Sequence, residues 1–414
     1  PQVQGMQEAL DAVEALTASR DALAVSTAGY GCLAEALFKM CVGNQLGVAL
    51  AGDFAADELF VPAYGSFLVE LAPDATLPAA TEALSVMEIG TTTSDYVLTA
   101  GNAHVCLAKL QEAWEGKLEP VYPYRKAGEV VETMSYTAAA PHVFSGKIAQ
   151  PRVVIPVFPG TNCEYDTAHA FERAGAAATT FVVNNLTPAA VAESTQRLAQ
   201  LIRESQIVML PGGFSGGDEP DGSAKFITAF FRAPEVTEAV RDLLQNRDGL
   251  MLGICNGFQA LVKLGLVPYG DIRPMDDACP TLTFNEIGRH QSRLVRTRVA
   301  SNLSPWLSRC QVGDVHNIAI SHGEGRFVIS PELLEQLKAA GQIATQYVDE
   351  QGVPSMDWNV NPNGSILAIE GITSPDGRVL GKMGHSERAG AGLYKNVPGN
   401  NFQPLIEGGV AYFA

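Results

Sequence analysis

The chain has 414 residues, 46% of them apolar, and a formal charge of −17 at pH 7. A length of this order allows about two to three domains with sizeable cores, while the acidic balance argues against nucleic acid or an anionic membrane as partner, since either favours a basic surface. No apolar run is long enough to span a bilayer and no basic-then-apolar leader opens the chain; seven cysteines without CxxC or Cys/His zinc spacing point to a reducing compartment, the cytoplasm by default, and to no metal site.

Residues 1–148 read as an α+β block. Its helix candidate, Cys32 to Val42, is rich in Ala and Leu with apolar residues at helical spacing, and Gly65 to Leu71 and Tyr96 to Thr99 read as strands. Turn-forming and polar residues at Ser145 to Pro151 mark a join to a second block, 149–414. There strands and helices alternate. Arg152 to Phe158 is a buried strand, Thr161 or Asn162 caps a helix running to Arg173, and Thr179 to Val183 is the next strand. Ala189 to Arg203, Gln206 to Leu210, Ala224 to Leu244 and Gly249 to Ile254 continue the series. Such alternation predicts an α/β fold, a mostly parallel sheet flanked by helices, with function at the carboxyl ends of the strands. Leu294 to Val299, His316 to Ile320, Arg326 to Ile329 and Ile343 to Val348 read as added strands.

Cys255 falls where an apolar strand breaks between glycines and a helical pattern begins at once, in Gly-Leu-Met-Leu-Gly-Ile-Cys-Asn-Gly-Phe-Gln-Ala-Leu (249 to 261). A sharp strand-to-helix turn lifts one side chain clear of the sheet and favours an anion beside the helix N-terminus, so this is a nucleophile elbow carrying a thiol. A base and an orienting group are offered by Val-Leu-Gly-Lys-Met-Gly-His-Ser-Glu-Arg (379 to 388). If that stretch leaves a strand, His385 and Glu387 at i and i+2 share a face, and the carboxylate steadies the imidazole. The plain alternative is a small buried thiol and an exposed turn. The N–H groups of Gly213, in the Gly-rich turn of the element Gln206 to Asp218, and of Asn256, the residue after the thiol, are candidates to hold an oxyanion; two adjacent glycines alone indicate no more than a turn.

Six runs, some of them within the stretches above, carry a resemblance: Phe-Pro-Gly-Thr-Asn-Cys-Glu-Tyr-Asp-Thr (158 to 167), Pro-Gly-Gly-Phe-Ser (211 to 215), Gly-Ile-Cys-Asn-Gly-Phe-Gln (253 to 259), His-Gly-Glu-Gly-Arg-Phe (322 to 327), Asn-Pro-Asn-Gly-Ser (361 to 365) and His-Ser-Glu-Arg (385 to 388). In this order they resemble the glutaminase domain of the formylglycinamide ribonucleotide amidotransferase family, triad-type glutamine amidotransferases of purine biosynthesis. The family usually has proline where this chain has Ser386, and an aromatic residue where it has Gly216. The resemblance implies a ligase activity with glutamine as nitrogen donor, a Cys255, His385 and Glu387 triad, and ammonia passed to a synthetase that uses ATP and Mg2+. It also implies glutamine contacts by Gln259 and His322, against the alternatives of a helix cap and a loop tie.

The first block resembles, more weakly, the C-terminal domain of aminoimidazole ribonucleotide synthetase through residues 24–37 and Trp114 to Pro120, with Gly29-Tyr30-Gly31 standing where that fold has Asp-Gly-Gly. Since the chain opens at Pro1 and lacks ATP-site motifs, the expectation is a piece of a larger polypeptide, with the Mg2+ and ATP machinery in upstream synthetase domains. Asp166 and His169 share a helix face, but two ligands without a third bind no metal well. Cys163, near a helix start, reads as structural. A glutaminase for another acceptor, another cysteine hydrolase and an inactive scaffold are the competing readings.

Overall fold

The computed structural model describes residues 3–52, 54–214, 224–395 and 397–414. They form two compact units, Pro1–Pro123 and Tyr124–Ala414. In the first, helices Val3–Ser19, Cys32–Asn44 and Leu107–Glu115 accompany two antiparallel strands, Ala22–Thr27 and Phe67–Leu71, and a four-stranded sheet ordered 90–93, 47–50, 97–100, 103–106. A small core forms around Leu37, Phe38, Cys41, Val48 and Leu107.

The second unit is built on one nine-stranded sheet. Its strands are β1 (Arg152–Val157), β2 (Ala177–Val182), β3 (Ile207–Leu210), β4 (Leu250–Ile254), β5 (Gln291–Val299), β6 (Val315–His322), β7 (Ile343–Val348), β8 (Ile369–Thr373) and β9 (Val379–Lys382). The order across the sheet is β6-β5-β7-β8-β9-β4-β3-β1-β2. From β2 to β9 every pairing is parallel, and from β9 to β6 every pairing is antiparallel. The alternating part of the sequence thus makes most of the parallel half, and three of the four expected added strands extend it; the fourth, Arg326–Val328, instead pairs antiparallel with Thr281–Thr283 in a separate two-stranded sheet. All residues of β3 and β4 are buried, as expected of strands covered by helices on both faces.

Helices α1 (Glu164–Arg173), α2 (Pro188–Glu204), α3 (Lys225–Phe231), α4 (Pro234–Gln245) and α5 (Asn256–Leu264) connect the parallel strands. Two of these differ from the sequence reading. The expected helix over 224–244 is two helices, because Pro234 starts the second one, where its missing N–H costs nothing. Neither Thr161 nor Asn162 caps α1: its cap position is Cys163, and the Thr161 hydroxyl accepts the Phe158 N–H instead. Residues 124–148 pack with the second unit, where Met134 N–H donates to Gln346 Oε1 at 2.8 Å and Ala138 N–H to Asn302 Oδ1 at 2.7 Å.

The elbow geometry depends on glycine. A Cβ on Gly257, in the first turn of α5, would lie 1.9 Å from the Leu210 carbonyl oxygen, and one on Gly253 would lie 2.6 Å from the Gly257 carbonyl oxygen. Both obstacles are backbone, which cannot rotate away. Gly257→Ala is therefore expected to destabilise the second unit by about 3 kcal/mol, in the upper range for overpacking, read as a lower urea midpoint with an unchanged slope. An unchanged midpoint would show that α5 shifts freely against β3.

Candidate active site

Cys255 follows β4 and occupies the cap position of α5 with φ 53° and ψ −106°. This is a strained backbone for a residue with a Cβ, held by the packing of α5 on β3 and β4. Its N–H donates to the Lys382 carbonyl at 2.9 Å, across to the neighbouring strand β9. The side chain is buried, and its thiol approaches the Ser321 carbonyl at 3.8 Å.

His385 and Glu387 lie just past the end of β9. His385 forms an isolated antiparallel bridge with Ala319 of β6, and Glu387 follows in a turn. Their meeting therefore does not come from two residues on one face of a strand; a turn folds the carboxylate back onto the ring. His385 Nδ1 and Glu387 Oε1 are 2.6 Å apart, both groups buried. His385 Nε2 makes no hydrogen bond among the described residues. Burial opposes the imidazolium, but the Glu387 carboxylate and the interactions with Cys163, Cys255 and Glu387 outweigh it and hold the ring's pKa well above its usual value. Burial likewise opposes the Glu387 carboxylate, and the His385 charge and hydrogen bond keep its pKa below the usual one. Both shifts favour the imidazolium–carboxylate form of the pair.

Convergence is measured at Gly212. A Cβ there would sit 2.7 Å from His385 Cε1, 3.0 Å from Cys163 Sγ and 3.5 Å from Cys255 Cβ. The end of β3, the loop after β1, the elbow and the segment after β9 thus meet at one point, at the carboxyl edge of the parallel strands. Gly213 has φ 149° and pairs with Thr161, with the Phe214 N–H donating to the Gly160 carbonyl at 2.8 Å. Ser215 and Gly216 fall outside the described residues.

Cys163 belongs to this place, although its sequence context suggests a structural thiol. It is 1% exposed, its Sγ is 4.0 Å from His385 Nδ1, and Arg388 Nη2 donates to that sulfur at 3.0 Å. The available signal was its position after β1, on the same sheet edge as the elbow. Among the described residues, Cys163, His385 and Glu387 form one of two groups with metal-ligand atoms within 4.8 Å; the other is Cys310, Asp314 and His316. Asp166 and His169 are in neither.

Gln259 is buried and has both ends of its amide engaged: Oε1 accepts from Asn256 Nδ2 at 2.9 Å, and Nε2 donates to the Glu324 carbonyl at 2.7 Å. His322, the last residue of β6, is buried, and neither ring nitrogen has a hydrogen-bond partner among the described residues. Burial, with the nearby charges of His385 and His290, pushes its pKa down to about 3, so the ring is neutral.

A mixed α/β sheet with a strained thiol elbow at the carboxyl edge of its parallel half, and a buried imidazole and carboxylate beside it, defines a protein of the cysteine-elbow class. Residues 150–413 match the CobB/CobQ-like glutamine amidotransferase domain, and the chain belongs to that family. Among curated relatives, the phosphoribosylformylglycinamidine synthase subunit PurQ of Aquifex aeolicus is 34% identical over 240 residues, which is 58% of this chain and 91% of the relative. The PurQ subunit of Synechococcus elongatus is 34% identical over 259 residues, covering 62% and 97%. Among solved structures, that of PurLQS from Thermotoga maritima aligns with 64% of this chain and 100% of the matched chain, at 25% identity and a TM-score of 0.45.

Proposed function

We propose that this chain carries the glutaminase of a phosphoribosylformylglycinamidine synthase, a ligase of purine biosynthesis, with residues 149–414 as the glutaminase domain. The observation that carries this is the match to PurQ subunits along 91% and 97% of their length. The family match starting at residue 150 supports a functional boundary at 148/149. The geometry supports the division of labour. Cys255 thiolate attacks the side-chain amide carbon of glutamine, and His385 gives a proton to the departing nitrogen, which leaves as ammonia. The N–H groups of Gly213 and Asn256 hold the oxyanion of each tetrahedral intermediate. Water, deprotonated by His385, then cleaves the thioester to glutamate, while Glu387 keeps the ring oriented. His322 contacts the bound glutamine, and Gln259 contributes by fixing Asn256 and the Glu324 loop around it. These steps use only groups of this chain.

The ammonia passes to a synthetase that binds Mg2+ and ATP and acts on formylglycinamide ribonucleotide in the cytoplasm. All seven cysteines are free, which suits a reducing compartment. No helix among the described residues is long and apolar enough to cross a membrane. Residues 1–148 are proposed as the C-terminal α+β domain of that synthetase. In place of an Asp-Gly-Gly turn, Tyr30 is exposed and the Gly31 N–H is capped by Glu35 Oε2 at 2.8 Å. The 414 residues alone are therefore expected to bind Mg-ATP no more tightly than millimolar by titration calorimetry. The decisive experiment supplies amide-15N glutamine to the complete enzyme with formylglycinamide ribonucleotide and Mg-ATP. Label in formylglycinamidine ribonucleotide is expected; glutamine hydrolysis with label confined to free ammonia would point to a glutaminase serving another acceptor.

A further inference from the structure

Lys382 ends β9 and Glu370 lies on the adjacent strand β8; each is 1% exposed. Lys382 Nζ lies 3.6 Å from Glu370 Oε1 and donates to Ser386 Oγ at 2.8 Å and Gln403 Oε1 at 2.9 Å. Ser386 Oγ in turn donates to Gln403 Oε1 at 2.6 Å. Glu370 Oε1 accepts the Gly384 N–H at 2.7 Å, and Oε2 accepts the Thr345 hydroxyl at 2.5 Å.

A buried ion pair is poorly explained by stability. Taking both charges out of water is costly, and apolar residues of similar volume often do as well or better. The partners of these two charges are more telling. Gly384 precedes His385, and Ser386 stands between His385 and Glu387. The Met383 N–H donates to the Glu370 carbonyl at 3.2 Å, and the His385 N–H to the Ala319 carbonyl at 2.9 Å. Each residue from Lys382 to Ser386 is thus fixed by at least one hydrogen bond. The Lys382 carbonyl also receives the Cys255 N–H, so one residue ties the elbow to the segment that carries the imidazole and the carboxylate.

We propose that the Lys382–Glu370 pair is a positioning device that sets His385 and Glu387 against Cys255. It rests on the triad reading of these three residues, and neither Lys382 nor Glu370 touches the reacting atoms. The groups around His385 are Glu387, Cys163, Cys255, His322 and Tyr394; Lys382 also acts on Cys310 and His316, and Glu370 on Tyr347.

The test compares the full chain with Lys382→Met, Glu370→Met and the double variant. The double variant leaves no unpaired buried charge, so it keeps the test open if the single variants fail to fold. Two quantities are read: kcat and KM for glutamine hydrolysis, and the pH midpoint of Cys255 carbamidomethylation by iodoacetamide, followed by mass spectrometry. A displaced imidazolium no longer supports the thiolate, so the midpoint should rise in all three variants. In the double variant kcat should fall about 10-fold to 100-fold, the range for a misplaced catalytic group, with KM nearly unchanged. A pure field effect would instead move the single-variant midpoints in opposite directions, because the two charges have opposite sign. Opposite movements, or a double variant with the parent midpoint and kcat, would overturn the proposal. Cys255→Ala runs alongside: glutaminase activity surviving in that variant would refute the nucleophile itself, an outcome separate from any result at Lys382.

Discussion

Replacing Cys255 with alanine in the complete enzyme should abolish synthesis from glutamine, with a loss of at least about 10³-fold in kcat, while synthesis from ammonium salts continues. The asymmetry follows from what the thiol does. In the proposed mechanism it forms the covalent bond that expels ammonia, and no neighbour replaces it in that task. Cys163 brings a second thiol to the site, but its sulfur is engaged by Arg388 and lies on the Nδ1 side of His385. Ammonia added from outside bypasses the step. Rates with both donors, measured on the same preparation, decide the matter: equal loss with glutamine and ammonium would mean that Cys255 supports the fold and not the chemistry. Serine at 255 would be an informative companion, since it fills the same strained position with a hydroxyl that His385 activates poorly.

Much of this site was legible in the sequence, and the reason is local. Gly253 and Gly257 bracket Cys255 because two backbones approach there within distances that no Cβ allows, and that requirement leaves its mark in adjacent residues. The parallel half of the sheet was legible for a similar cause: β1, β3 and β4 are short apolar runs ended by turn residues. What escaped depends on contacts between distant segments. A lysine at the end of a strand reads as a solvated charge; only the fold brings Glu370 and Gln403 around Lys382. Cys163 escaped because its partner His385 is 222 residues away. The segment 124–148 precedes the join and reads with the first block, yet Gln346 and Asn302 of the second accept hydrogen bonds from its N–H groups. In 224–244 the signal was present at Pro234 and the helical periodicity on both sides masked it.

Removing the imidazole and removing its carboxylate should differ both in size and in pH dependence. His385→Ala eliminates the group proposed to move the proton at each step, and a loss of about 10²–10⁴-fold in kcat is expected, the usual range for general acid–base catalysis. Glu387→Gln leaves a ring of nearly the same position, so the loss should be smaller, roughly 10-fold to 100-fold, as for other partners that orient a functional histidine. The sign of the pH effect comes from the balance at the ring. Burial disfavours the imidazolium, and Glu387 is the first charge that offsets it. With glutamine at 387 the burial penalty is met only by weaker interactions, so the pKa of His385 must fall. Protonation of the leaving nitrogen requires the imidazolium, and that form would then be lost at a lower pH. The alkaline limb of kcat/KM for glutamine should therefore move toward acid in Glu387→Gln, and the deficit relative to the parent enzyme should be larger at pH 8 than at pH 6. A profile with both limbs unmoved and a uniformly reduced rate would mean that Glu387 only holds the ring in place. An alkaline limb displaced upward would contradict the charged pair at 2.6 Å, because a carboxylate in contact with the imidazolium cannot lower its proton affinity.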